Sequence, residues 1–106
     1  MKAGIIGCGF IGTEVAEFID KDDSFDLIGV NDIDKNKADE LIKKLINNKP
    51  IFMNLNDLIK NSDLIIESAA KNVIESILKN ENLDKKGKKL LIMSTGGLIS
   101  SLSLLN

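Results

Sequence analysis

The stretch GIIGCGFIGTEVAEF at residues 4–18 constrains this chain more than any other. An apolar run with no polar face leads directly into Gly7-x-Gly9-x-x-Gly12, and residues at helical spacing follow. Glycines at these three positions have separate physical uses. Gly7 permits a tight turn after a strand, Gly9 lets the backbone approach a ligand, and Gly12 lets the helix pack closely on the strand. The first turn of such a helix presents unpaired N–H groups and a partial positive charge, which suits phosphate. A strand–glycine loop–helix unit of this form therefore reads as the cradle for the pyrophosphate of a dinucleotide.

Asp32 supports that reading. It lies twenty residues beyond Gly12, at the end of a second apolar run. A carboxylate there accepts hydrogen bonds from ribose hydroxyls and repels a 2′-phosphate, which favours NAD over NADP. Lys35 and Lys37 stand close enough in sequence to reach a 2′-phosphate and keep NADP open, but the chain has no arginine for a bidentate clamp. Asp32 could instead serve as a turn residue or helix cap, a role for which Asp34 competes.

The rest of the chain alternates between short apolar runs and helical periodicity. Strands are expected at residues 3–6, 27–30, 51–53, 64–66 and 90–93. Between them come a helix with Ile11, Val15, Phe18 and Ile19 in its apolar stripe, and a second with Ala38, Leu41, Ile42 and Leu45, capped by Asp34. A short helix starts at an Asn54–Asp57 cap pair. A fourth starts at an Asn72–Glu75 pair, with Val73, Ile74, Ile77 and Leu78 facing the core. Residues 84–89 form a charged turn around Gly87, and a further helix is expected from Leu98. The fold class is α/β: a doubly wound parallel Rossmann sheet of five strands in the order 3-2-1-4-5, forming one domain over residues 1–106. No sixth strand is expected within these residues, so the fifth would leave an open edge. Such an edge invites a homodimer or a separate substrate domain.

The carboxyl ends of strands four and five carry small residues, Ser68-Ala69-Ala70 and Ser94-Thr95-Gly96. They leave room for ribose and nicotinamide and offer hydroxyl donors, although simple turn chemistry explains them equally well. Cys8, inside the glycine loop, is read as a small residue filling tight space; a helix N-terminus can also lower a thiol pKa. Glu67 has no partner base and is not read as catalytic. No catalytic residue and no metal site is assigned. The chain has no histidine and one cysteine, which removes the commonest general base and the usual zinc ligands.

Composition narrows the setting. The net charge of −2 gives no basic footprint for nucleic acid. No apolar run approaches the roughly 20 residues of a membrane span, and MKAGIIG does not resemble a secretory leader. A single cysteine fits a reducing cytoplasm.

Taken together, GIIGCGFIGTEVAEFI, DLIIESAAKNVIESILKN and KKLLIMSTGGLIS resemble the nucleotide-binding domain of L-aspartate dehydrogenases. Homoserine dehydrogenases share the first motif. The resemblance implies NAD(P)-dependent oxidative deamination of aspartate to iminoaspartate, linked to NAD biosynthesis. By position, it implies that Phe10, Ile11 and the loop glycines hold pyrophosphate. Asp32 would hold a ribose, and Ser68, Ala69 and Thr95 would flank the nicotinamide ribose. That family keeps its catalytic histidine in a substrate domain that nothing here matches, so this chain is expected to bind cofactor without turning over aspartate alone. A stand-alone dinucleotide-binding regulatory module and the cofactor half of a homoserine dehydrogenase-like reductase are the alternative readings.

Overall fold

The computed structural model describes residues 1–84 and 87–94. The elements run β1 (Lys2–Ile6), α1 (Phe10–Asp20), β2 (Asp26–Asn31), α2 (Lys35–Lys44), β3 (Ile51–Phe52), α3 (Leu55–Asn61), β4 (Leu64–Glu67), α4 (Lys71–Leu78), a 3-10 turn (Glu81–Asp84) and β5 (Lys89–Ile92). All strand pairs are parallel, and the sheet order is β3-β2-β1-β4-β5, as the sequence predicts. The helix expected from Leu98 and the small residue Thr95 lie outside the described residues.

The unbroken apolar runs follow from coverage on both faces. Neighbouring residues of a strand point to opposite sides. Ile5 accordingly joins a cluster with Ala16, Ile19, Ala38 and Leu41 from α1 and α2, while Ile6 joins Leu58, Ile59 and Ile77 from α3 and α4. Ile66 and Ile65 of β4 divide in the same way. A strand between two helical layers has no wet face, so a polar–apolar alternation never develops.

Two helix assignments change in detail. The buried face of α1 consists of Gly12, Ala16, Ile19 and Asp20, whereas Ile11 is 46% and Phe18 70% exposed. Small residues at 12 and 16 bring the helix close to the sheet, and the larger apolar side chains rotate outward. The expected Asn72–Glu75 cap is also not formed. Helix α4 starts at Lys71 with Ala70 as its N-cap and no side-chain cap, which puts Asn72 inside the helix. The other two caps form as predicted: Asp34 accepts from the Asn36 N–H at 3.0 Å and Asn54 from the Asp57 N–H at 2.8 Å.

Two side chains pin the loops that frame the sheet. The Asp20 carboxylate, at the end of α1, accepts the backbone N–H groups of Ile46, Asn47 and Asn48 at 2.7–3.1 Å and the Asn48 side-chain amide at 2.8 Å. Burial alone would raise its pKa. These hydrogen bonds, led by that of the Asn48 side chain, outweigh burial and hold the carboxyl at about 2. Lys88, expected on a solvated turn, donates from Nζ to the carbonyls of Lys60 and Ser62 at 3.0 and 2.6 Å.

Candidate functional site

The carboxyl ends of β1, β2 and β4 meet where the strand order reverses, which is where open α/β sheets place their ligands. The glycine loop lies between β1 and α1. Gly7 has φ of +98°, and a Cβ on it would lie 2.7 Å from the Ala69 nitrogen and the Ser68 carbonyl carbon. Its N–H donates to the Asn31 carbonyl at 2.8 Å. A Cβ on Gly12 would collide with the Gly7 carbonyl oxygen and lie 2.7 Å from Ser68 Oγ. Gly9 differs from both. It is the N-cap of α1 with φ of −79°, and a Cβ there would meet nothing within 4 Å. The turn and the packing each use one glycine, and the third faces open space.

That space is a cleft of about 380 Å³. One wall carries Gly7, Gly9, Asn31 and Asp32, and the other carries Ser68, Ala69, Ala70 and Val73. Lys37 also reaches it. A neighbouring hollow of about 430 Å³ runs between α1 and α2 and shares Gly9 and Lys37. Its lining includes Glu14, Glu17 and Glu40 against Lys37 and Lys44. Only the smaller cleft lies at the carboxyl ends of the strands, with Gly7, Asn31, Asp32 and Ser68 in its lining, and it is therefore the better candidate site.

Asp34 takes the helix cap, which leaves Asp32 for the cleft. Asp32 Oδ2 accepts the Cys8 N–H at 2.7 Å and Oδ1 accepts the Asp34 N–H at 2.8 Å. A carboxylate oxygen holding one hydrogen bond keeps further acceptor capacity for a ribose hydroxyl. Ser68 donates from Oγ to the Gly7 carbonyl at 2.8 Å, so its hydroxyl buttresses the glycine loop. Ala69 and Ala70 are exposed at the cleft wall. Phe10 and Ile11 form the first turn of α1, and neither side chain is part of the cleft lining. Any contribution they make to phosphate comes from their backbone N–H groups. The structure thus brings together Gly7, Gly9, Asp32, Ser68 and Ala69, with Gly12 packed behind the loop.

Cys8 is 4% exposed and its thiol points to the Asn31 carbonyl at 3.5 Å. Burial, followed by the nearby Asp32 charge, pushes the thiol up to about 12. The thiol therefore stays protonated, as suits a packing residue.

Two residues outside the sequence-derived site hold it in shape. Glu67, fully buried at the end of β4, accepts the Ala69 N–H at 2.7 Å on Oε2 and the Ser94 hydroxyl at 2.9 Å on Oε1. Asn31 donates from Nδ2 to the Met53 carbonyl at 2.8 Å, tying the end of β2 to the end of β3. Position at a strand end was the available signal for both, but their partners are set by the tertiary fold. Among the described residues, no helix is long and apolar enough to cross a membrane.

Comparison with known proteins agrees with this geometry. The family model described as the homoserine dehydrogenase NAD-binding domain matches residues 7–105. The L-aspartate dehydrogenase of Methanosarcina acetivorans is 39% identical over 99 residues, covering 92% of this chain and 36% of that protein. That of Methanosarcina mazei is 36% identical with the same coverage. The chain therefore spans about a third of the length of these relatives. Among solved structures, apo scyllo-inositol dehydrogenase from Lactobacillus casei superposes with a TM-score of 0.74 at 20% identity, covering 98% of this chain and 31% of that one. An imine reductase from Bacillus cereus gives 0.67 at 28% identity, covering 88% and 31%. The match over residues 7–105, on a sheet of the expected order with its glycine loop at the reversal point, places the chain in the family of homoserine dehydrogenase NAD-binding domains.

Proposed function

We propose that this chain is the cofactor-holding unit of an L-aspartate-dehydrogenase-like oxidoreductase. The observation that carries the proposal is the open space in front of Gly9, walled by Asp32 on one side and residues 68–73 on the other. The residues present fit a nicotinamide dinucleotide. Gly9 admits the pyrophosphate close to the backbone, the first turn of α1 supplies N–H groups, and Asp32 accepts from the adenosine ribose. A bound nicotinamide dinucleotide would supply the hydride acceptor for oxidation of an amino acid to its imine. The work of this chain is to bind and orient the cofactor. Phe10 and Ile11 act through backbone groups, and Ser68 and Ala69 shape the wall that faces Asp32. Thr95 follows β5 and is proposed to flank the nicotinamide ribose.

Aspartate as substrate is supported by the identity of 39% to a named L-aspartate dehydrogenase. The description of the matching family model favours a second reading, a homoserine dehydrogenase-like reductase. Substrate chemistry on either reading belongs to the longer proteins, and the 106-residue chain is expected to show no aspartate oxidation alone. Among the described residues β5 pairs with β4 alone, and its other side, where Leu91 is 46% exposed, is proposed to meet a substrate domain or a second copy of the chain. A reducing, cytoplasmic setting suits the single buried thiol. Calorimetric titration of the chain with NAD and NADP tests the proposal, and saturable NAD binding is the expected result.

A further inference from the structure

We propose that Asp32 is a positioning residue for the glycine loop as well as a ribose partner, so that cofactor preference cannot be changed at Asp32 without weakening the hold on phosphate. The inference rests on the dinucleotide reading above. The two oxygens of Asp32 face two different loops. Oδ2 takes the N–H of Cys8, the residue between Gly7 and Gly9, at 2.7 Å, and Oδ1 takes the N–H of Asp34 at 2.8 Å. Beside it, the Asn31 carbonyl receives the Gly7 N–H at 2.8 Å. The loop between β1 and α1 is thus registered on the end of β2 by consecutive residues. Of these acceptors, only the Asp32 carboxylate belongs to a side chain. A hydrogen bond to a charged acceptor is about twice as strong as a neutral one, so this contact is a principal restraint on the Cys8 peptide. The Cys8 N–H, being directed at Asp32, is also withheld from the phosphates, which leaves the α1 N-terminus to bind them.

The usual expectation for this geometry is different. Lys37 reaches the same cleft, so removing the carboxylate should let Lys37 pair with a 2′-phosphate and turn the chain toward NADP. On the present inference, Asp32→Ser releases the Cys8 N–H and lets the loop shift, and both dinucleotides bind less well.

The experiment compares the wild-type chain with Asp32→Ser and Asp32→Asn. Amide hydrogen exchange at Cys8 is measured by NMR without ligand. Affinities are then measured for NAD, NADP and nicotinamide mononucleotide, which carries a phosphate but no adenosine ribose. In Asp32→Ser, exchange at Cys8 is expected to accelerate about 10-fold or more. Mononucleotide affinity is expected to fall about 5-fold alongside that of NAD, the loss of roughly one hydrogen bond. NADP is expected to bind no better to Asp32→Ser than to wild type. Asparagine preserves the shape and one acceptor oxygen, so its effects should lie between the two, and it carries the test if the serine variant does not fold. Wild-type exchange at Cys8, or unchanged mononucleotide affinity while NAD affinity falls, overturns the proposal. A wild-type chain that binds no dinucleotide would defeat the functional reading instead, and Cys8 exchange would still decide the role of Asp32.

Discussion

The Ser94 hydroxyl donates to Glu67 Oε1 at 2.9 Å, joining the turn after β5 to the turn after β4 through a fully buried carboxylate. The other oxygen of Glu67 holds the Ala69 N–H at 2.7 Å. Glu67→Ala removes the acceptor of the Ala69 N–H and of the Ser94 hydroxyl and N–H and empties the space of a fully buried side chain, and a loss of at least about 2 kcal/mol in urea unfolding is expected. Glu67→Gln keeps an acceptor for Ala69 and turns its amide toward a hydroxyl that can also accept. Its loss should stay under about 1 kcal/mol. Equal losses for the two variants would show that the negative charge, and not the pair of hydrogen bonds, matters at this position.

Gly12 and Gly9 should respond differently to substitution. Gly12→Ala drives a methyl group into the Gly7 carbonyl, and overpacking of this kind costs about 1–3 kcal/mol. Gly9→Val meets no protein atom within 4 Å at its Cβ and has an ordinary φ of −79°. It should therefore fold with near wild-type stability and lose NAD binding, because its side chain fills the space in front of the loop. Thermal unfolding and calorimetry on the two variants check the contrast.

Asp20 gives the fold an acid limb. Its carboxyl titrates near 2 in the folded chain, against an ordinary 3.8. A depressed folded pKa contributes stability that is present above the unfolded value and is lost as pH falls toward 2. The stability difference between wild type and Asp20→Asn should therefore be constant above about pH 5 and shrink between pH 4 and 2. Urea unfolding across that range reads it directly, and a difference that does not change with pH would contradict the assignment.

The strand order and much of the cleft were legible because they depend on local patterns. Continuous apolar runs such as residues 64–66 mark strands covered on both faces, and glycine spacing marks the loop. Asp34 and Asn54 cap helices through their own neighbours, so their roles could be read from short windows. Contacts across long sequence separations were not legible. Asp20 finds its partners 26–28 residues away, and nothing near Glu67 announces Ser94. Helical spacing also misplaced Ile11 and Phe18, since Gly12 and Ala16 set the approach to the sheet and turned the larger residues out. The Asn72 cap failed for a related reason: the short turn closed by Glu67 and Ala69 starts the helix earlier, at Lys71.

The edge at β5 yields a prediction about assembly. If that edge takes up a second copy, sedimentation of the chain should shift from monomer toward dimer as concentration rises into the hundreds of micromolar. The N–H groups of Lys89 and Met93 donate to Asp63 and Glu67 on the β4 side, so by alternation that of Leu90 faces the edge, and Leu90→Pro should abolish the shift if the pairing uses backbone hydrogen bonds. A clean monomer throughout would leave a substrate domain as the partner for that edge.

The cleft between Gly9 and Asp32 is proposed to receive NAD. Calorimetric titration of the wild-type chain with NAD and NADP tests it most directly. One saturable site is expected, with NAD bound more tightly than NADP and the signal lost in Gly9→Val. Absence of binding, tighter binding of NADP, or undiminished NAD affinity in Gly9→Val would contradict it.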